Sequence, residues 1–183
     1  ALEIGSSGDT MTVPSGATLT IAGTINASSG TATGFGESNT PAFAATYSSA
    51  GSGLANATLV KLSFDSELYD SGSVYDTSNY RFTPGVAGKY FIYARTLISA
   101  ASTSPNQGRI AIYKNGSMFN YWRWTNTASI SDFSMQISAF DTANTTDYYE
   151  AYIYQSNTGS STSFSINSDT SQVGLFMGYK ITT

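Results

Sequence analysis

The sequence predicts an all-β chain folded as a sandwich, and three observations carry that reading. Apolar and polar residues alternate with period two through most segments, as in half-buried strands. Aromatic residues reach 14% while charged residues are only 11%, the balance of a β-rich protein kept in solution by Ser, Thr, Asn and Gln. No long helix is visible anywhere in the chain.

At 183 residues the chain suits one domain with a short appendage, enough to bury roughly 70% of its unfolded surface. A net charge of −4 provides no basic field for phosphates or anionic lipid, so nucleic acid is excluded as a partner. No stretch approaches the roughly 20 apolar residues of a membrane span, which argues against insertion. With no Cys, stability must come from packing and assembly rather than from disulfides. Ala1 to Ser7 has neither the basic start nor the apolar run of a signal peptide. Ala1 is small enough to be the residue exposed when an initiator Met is removed, a reading that weighs against a conventional secreted module.

Residues 1–26 read as a β leader. Met11 and Val13, then Leu19 and Ile21, alternate with Thr around a Pro14-Ser15-Gly16 break. Strands this short cannot bury themselves in a monomer, so Met11, Val13, Leu19 and Ile21 are candidates for trimerisation or for docking onto another protein. The segment resembles the amino-terminal parts of tailed-phage fibre proteins, where an IGSSGDT-type opening precedes a VPSGATL-type repeat, and that resemblance implies attachment of these four residues to a virion protein; a mobile polar leader is the alternative. Residues 27–40, rich in Gly, Ser and Thr, read as a linker, and residues 41–183 as the head.

Within the head, Pro41 to Tyr47 reads as a first strand, residues 48–57 as a loop, and Thr58 to Phe64 as a strand. Asp65, Glu67, Asp70 and Asp76 follow on what reads as one acidic turn, and their spacing raises calcium as a cofactor. The pattern departs from an EF-hand, with its glycine at 72 and Asp76 where Glu is needed, so turn-forming acids on a solvated loop are the favoured reading. Pro84 and Gly85 mark a tight turn. Gly88 to Ser99 is then apolar on both faces, with Tyr90, Ile92, Ala94 and Ile98 on one and Phe91, Tyr93 and Leu97 on the other. A strand buried on both faces packs into the sandwich on one side and against something else on the other. The same pattern recurs at Tyr148 to Tyr154, so Tyr93, Tyr148, Tyr152 and Tyr154 are expected near a trimer axis, their hydroxyls finding partners across the interface. Lys114-Asn115-Gly116 predicts a type I′ hairpin. The arm after it carries Phe119, Tyr121, Trp122 and Trp124, which serve as core or as a stacking platform for a sugar. Ser131 to Phe140, Asp147 to Gln155 and Val173 to Ile181 complete the strands.

Several of these segments resemble one family. The Phe64-Asp65 pair, Tyr75-Asp76, the Tyr80-Arg81-Phe82-Thr83-Pro84 turn and Gly88-Lys89-Tyr90-Phe91 are similar to the central signature of the globular head of complement C1q. The Pro41-Ala42-Phe43 opening, the Asn115-Gly116 hairpin and the terminal strand resemble that family as well. Those heads belong with the tumour-necrosis-factor-like jelly rolls, so the resemblance implies a ten-stranded jelly-roll β-sandwich assembled as a homotrimer. Some heads of the family bind calcium between subunits. The family's usual Gly-Asp before its penultimate long strand is Phe140-Asp141 here, which leaves that boundary unsettled.

Without His or Cys, Ser-His and Cys-His nucleophile pairs cannot form, nor can imidazole or thiolate metal sites. Paired carboxylates about 5 to 9 Å apart across a groove are the remaining hydrolytic route, and the scattered acids argue against it. Binding is the class that remains. If the strands alternate direction, residues 100–107, 125–130 and 157–170 lie at the apex, an assignment that inverts if Thr162 to Ile166 is a full strand. Trp124, Asn126, Asn106, Gln107 and Asn157 are then candidates for contact with a host-surface glycan or protein. The expected function is that of a virion fibre at the tail or capsid surface; the alternatives are a decoration trimer without a receptor and a secreted cellular ligand-binding module.

Overall fold

A computed structural model of the chain describes residues 12–18, 20, 22–23, 39–99, 105–125, 132–157, 163–166 and 174–181. The chain divides into two compact units, Ala1–Phe35 and Gly36–Thr183. In the smaller, Ala17 N donates to Pro14 O at 3.0 Å, closing a turn whose third residue, Gly16, has φ +84°. That angle is the reason for a glycine there. Val13 is exposed beside this turn, whereas Met11, Leu19 and Ile21 lie outside the described residues.

The larger unit is a sandwich of two sheets. Its strands are β1 (Ala42–Thr46), β2 (Gly51–Ala55), β3 (Val60–Lys61), β4 (Ser66–Ser71), β5 (Tyr75–Asp76), β6 (Arg81–Phe82) and β7 (Gly88–Ser99). They continue with β8 (Pro105–Lys114), β9 (Ser117–Thr125), β10 (Asp132–Ala143), β11 (Tyr149–Asn157), β12 (Ser163–Ile166) and β13 (Leu175–Ile181). The first sheet has the lateral order β4, β1, β13, β7, β10, with β12 and β2 continuing beside the far end of β7. The second runs β5, β6, β11, β8, β9, and β3 also pairs with β11. All described pairings are antiparallel.

Alternation sets the core. Tyr90, Ile92, Ala94, Thr96 and Ile98 of β7 point inward, opposite Ile110 and Ile112 of β8 and Tyr149, Ala151 and Ile153 of β11, all buried. At one end Phe43 stacks on Tyr75 with centroids 4.5 Å apart, and meets Phe82 and Phe176. Tyr47 stacks on Phe64 at 4.4 Å and donates its hydroxyl to Thr96 Oγ1 at 3.1 Å, so a large ring is buried without an orphaned polar tip. Its ring lies where a Cβ at residue 174 would be, which requires Gly174.

Six expectations are corrected or sharpened. The segment read as a loop after Tyr47 contains β2, and the strand expected over Thr58 to Phe64 is only the two residues of β3. The acidic stretch is not one turn, because Ser66–Ser71 is an edge strand paired with β1. Its outward Leu68 and Tyr69 and its Ser and Asp residues hide the alternation that marks inner strands. Phe140 and Asp141 lie inside β10, which pairs with β7 as far as Ala143. The Asn115-Gly116 hairpin has φ +53° and +76° at its two residues, the type I′ geometry. Residues 163–166 do form a strand, but β12 and β13 are both antiparallel to β7, so no reversal intervenes between them and the apical assignment does not invert.

Candidate functional site

The first sheet's outer face is built from the residues between the core positions. Register aligns Ala42, Tyr179, Phe91 and Phe140 in one row across β1, β13, β7 and β10, and Tyr69, Ala44, Met177, Tyr93 and Ser138 in the next. Phe91 lies 5.2 Å from Phe140 and 5.4 Å from Tyr179, centroid to centroid. Phe140 is nevertheless 70% exposed and Tyr69 49%. On β7, β13 and β10 the charges of this face are Lys89 and Asp132 near its ends and Arg95 within it, between Leu175 and Gln136. The Arg95 guanidinium has no ion pair, ring or hydrogen-bond partner among the described residues, and its Nε is buried.

The second sheet's outer face is organised differently. Glu150, 3% exposed, accepts from Lys61 Nζ at 2.8 Å and from Arg81 Nε and Nη2 at 2.9 and 2.8 Å. Burial pushes its carboxyl upward, but Lys61 and Arg81 outweigh that and leave its pKa lowered. Tyr152 donates to Glu150 Oε2 at 3.3 Å and packs on Tyr113 at 4.2 Å. The Arg81 guanidinium sits 3.8 Å from the centre of the Tyr148 ring. Arg109 lies over Tyr121 at 5.1 Å and Tyr154 at 5.4 Å. The tyrosines expected together at a trimer axis fall on two faces: Tyr152 and Tyr154 lie on β11 of the second sheet, with Tyr148 just before it, and already have partners within the chain, whereas Tyr93 lies on the outer face of the first.

The apical candidates converge at one end. Gln107 pairs with Thr125 and Ser156, Trp124 pairs with Gly108, and Asn157 pairs with Pro105, all at the end of the sandwich opposite Pro41 and Ile181. Asn106 Oδ1 accepts from Ser156 Oγ at 2.7 Å. Asn126 lies outside the described residues. Trp124 is half-buried and stacked on Phe133 at 4.8 Å, so one ring face is already used inside the sandwich edge. The exposed aromatics of β9 are Phe119, Tyr121 and Trp122. The sequence named these three with Trp124 as core or as a stacking platform, and their exposure follows from β9 being an edge strand whose inward positions are incompletely covered.

The calcium candidates are held apart by separate tasks. Asp65 binds the backbone and hydroxyl of Ser48, Asp70 accepts from Val74 N and Tyr75 N, and Asp76 accepts from Ser78 N, Asn79 N and Asn79 Nδ2. Glu67 lies on edge strand β4. Among the described residues no three acids form a cluster suited to a metal ion. Beside the hairpin, Lys114 Nζ is 2.6 Å from Asp141 Oδ2 and 3.0 Å from Asp147 Oδ2. The Asn144 backbone, the Asn115 side chain and Lys114 hold the Asp147 pKa down at about 2. All these groups are mutually satisfied, as in a structural clamp rather than a catalytic pair.

No protein-family model matches the chain and no curated protein matches it in sequence, so the resemblance of its leader to phage fibres gains no support from those comparisons. Solved structures do match. The globular domain of zebrafish complement 1qA protein aligns with a TM-score of 0.52 at 13% identity, covering 77% of this chain and 97% of that one. Two crystal structures of murine APRIL, at pH 5.0 and pH 8.0, align with TM-scores of 0.54 and 0.57 at 9% and 8% identity, each covering 76% of this chain and 98% of its own. With its two antiparallel sheets, the head has the jelly-roll fold shared by complement C1q and tumour-necrosis-factor-like domains.

Proposed function

We propose that the chain is a homotrimeric binding head, carried on a virion fibre, that recognises a host-surface glycan or protein during adsorption. The observation that carries the trimer is the part of the first sheet's outer face nearer Pro41, where Phe91, Phe140, Tyr179 and Met177 form a continuous apolar patch that stops short of Arg95, on a chain with few charges. Soluble monomers seldom leave such a surface open. The shared fold and the resemblance to homotrimeric C1q heads favour a second and third copy as its cover. The leader's likeness to tailed-phage fibres is the support for a place on a virion, where it would attach to another structural protein. Recognition is assigned to the end of the sandwich opposite Pro41, where Trp124, Asn106, Gln107 and Asn157 gather.

The test is light scattering of the purified full chain at micromolar concentration, followed by adsorption to candidate host cells. A particle of three times the 19.3 kDa chain mass that adsorbs to cells supports the reading. A monodisperse monomer overturns the trimer, and a trimer that binds no cell points to a decoration role.

A further inference from the structure

The strands β9 and β10 are the free edges of the two sheets, and they face each other without pairing. They meet at two points, where Trp124 stacks on Phe133 at 4.8 Å and where Asn120 Nδ2 donates to Ser138 O at 3.1 Å. Along these edges opens a groove of about 950 Å³, at the upper end of the range for small-molecule sites. Tyr121 and Trp122 line it; Tyr121 already lies under the Arg109 guanidinium, whereas Trp122, 46% exposed, has an aromatic face available. Tyr93 donates its hydroxyl to Gln136 Oε1 at 2.9 Å, which turns the Gln136 amide nitrogen outward as a donor. Asn120, having used its amide nitrogen on Ser138, keeps its Oδ1 as an acceptor.

Arg95 is the only charged side chain among the described residues lining this groove. Its guanidinium meets no acid, ring or acceptor, and its Nε is buried. A cation stripped of water on one side and left unpaired favours an anion, and a guanidinium matches a carboxylate with two parallel hydrogen bonds. An aromatic face, an amide donor, an amide acceptor and a lone guanidinium are together the chemistry of an acidic saccharide: the apolar face of a sugar ring lies on Trp122, hydroxyls bond the amides, and the carboxylate pairs with Arg95. We infer that this groove is a binding site for a carboxylate-bearing oligosaccharide, a site distinct from the apical end. The inference rests on the reading of the head as a host-surface binder and names the ligand class.

The experiment places the full chain on an array of sialylated and uronic-acid-containing oligosaccharides, each printed beside its neutral core. The expected result is retention of carboxylated members at least about tenfold more tightly than their cores, the worth of a single charge-assisted contact. Arg95→Gln is expected to erase that preference and Trp122→Ala to erase retention altogether, both with the assembly mass unchanged. Retention of no carboxylated member, or retention indifferent to both substitutions, overturns the site. So does a fall in assembly mass with Trp122→Ala, which would mean that a neighbouring copy fills the groove. If the chain adsorbs to host cells yet retains no carboxylated member, the groove fails while the proposed function stands. If the chain captures acidic glycans yet adsorbs to no cell, the proposed function fails while the groove stands.

Discussion

Two arginines in the middle of strands have opposite surroundings. Arg109, on the outer face of the second sheet, and Arg95, on the outer face of the first, both bury their Nε. Arg109 lies over the rings of Tyr121 and Tyr154, on a face where Glu150 also gathers Lys61 and Arg81 and where Tyr113 packs on Tyr152. Arg95 has no such company, and farther along the same face Phe140 reaches toward solvent at 70% exposure. The second sheet closes its own surface, whereas the first leaves its chemistry unfinished. A face of the latter kind is completed by something other than itself.

That contrast breaks most decisively at Phe140. Placing a charge there, Phe140→Arg, is expected to reduce the assembly to single chains in light scattering while leaving the far-ultraviolet circular dichroism unchanged, because the side chain contributes little to the monomer's core. An intact trimer would transfer the interface elsewhere. The opposite behaviour is expected of Glu150→Ala, which strands Lys61 and Arg81. It should cost about 2 kcal/mol in urea unfolding, less than breaking a fully buried pair because those partners are 27% and 36% exposed, and it should leave the oligomer mass untouched.

A smaller effect concerns acid. The Asp147 carboxyl is held at about 2 in the folded chain, below its value of 3.8 when unfolded. The stabilisation from its ionised form is therefore complete above about pH 4 and is lost as the pH falls toward about 2. Asp147→Asn should be less stable than the parent at neutral pH, and the difference should narrow across that window in pH-dependent melting. Least of all is expected from Tyr152→Phe, which removes one 3.3 Å hydrogen bond to Glu150. A loss below about 1 kcal/mol with trimers intact would agree with a self-contained second face. Dissociation by this change would put Tyr152 at the interface between copies.

The sequence made the fold legible because its strongest signals were local. The alternation of β7, the Asn115-Gly116 turn and the aromatics Phe43, Phe64, Tyr75 and Phe82 each state their environment within a few residues. The double-sided pattern of β7 also marked Phe91 and Tyr93 as facing something beyond the sandwich. The pattern at Tyr148 to Tyr154 looked alike but has another cause, since its outward tyrosines find Arg81, Glu150 and Arg109 from strands distant in sequence. Periodicity records that a position is covered and is silent about what covers it. The edges were harder still. β4 is polar, β2 is largely Gly and Ser, and the groove between β9 and β10 depends on two strands that do not pair, so none of these leaves a periodic trace.

Because β12 and β13 run the same way along β7, the head's first and last described strands begin and end at one pole, where Lys180 N donates to Pro41 O. Strands β7, β9 and β11 end, and β8, β10 and β12 begin, at the other. The two poles are thereby uncoupled. A graft after any of those three strand ends is a sandwich length away from the Lys180–Pro41 hydrogen bond, so the scaffold can change one extremity while the closure of the other stays in place.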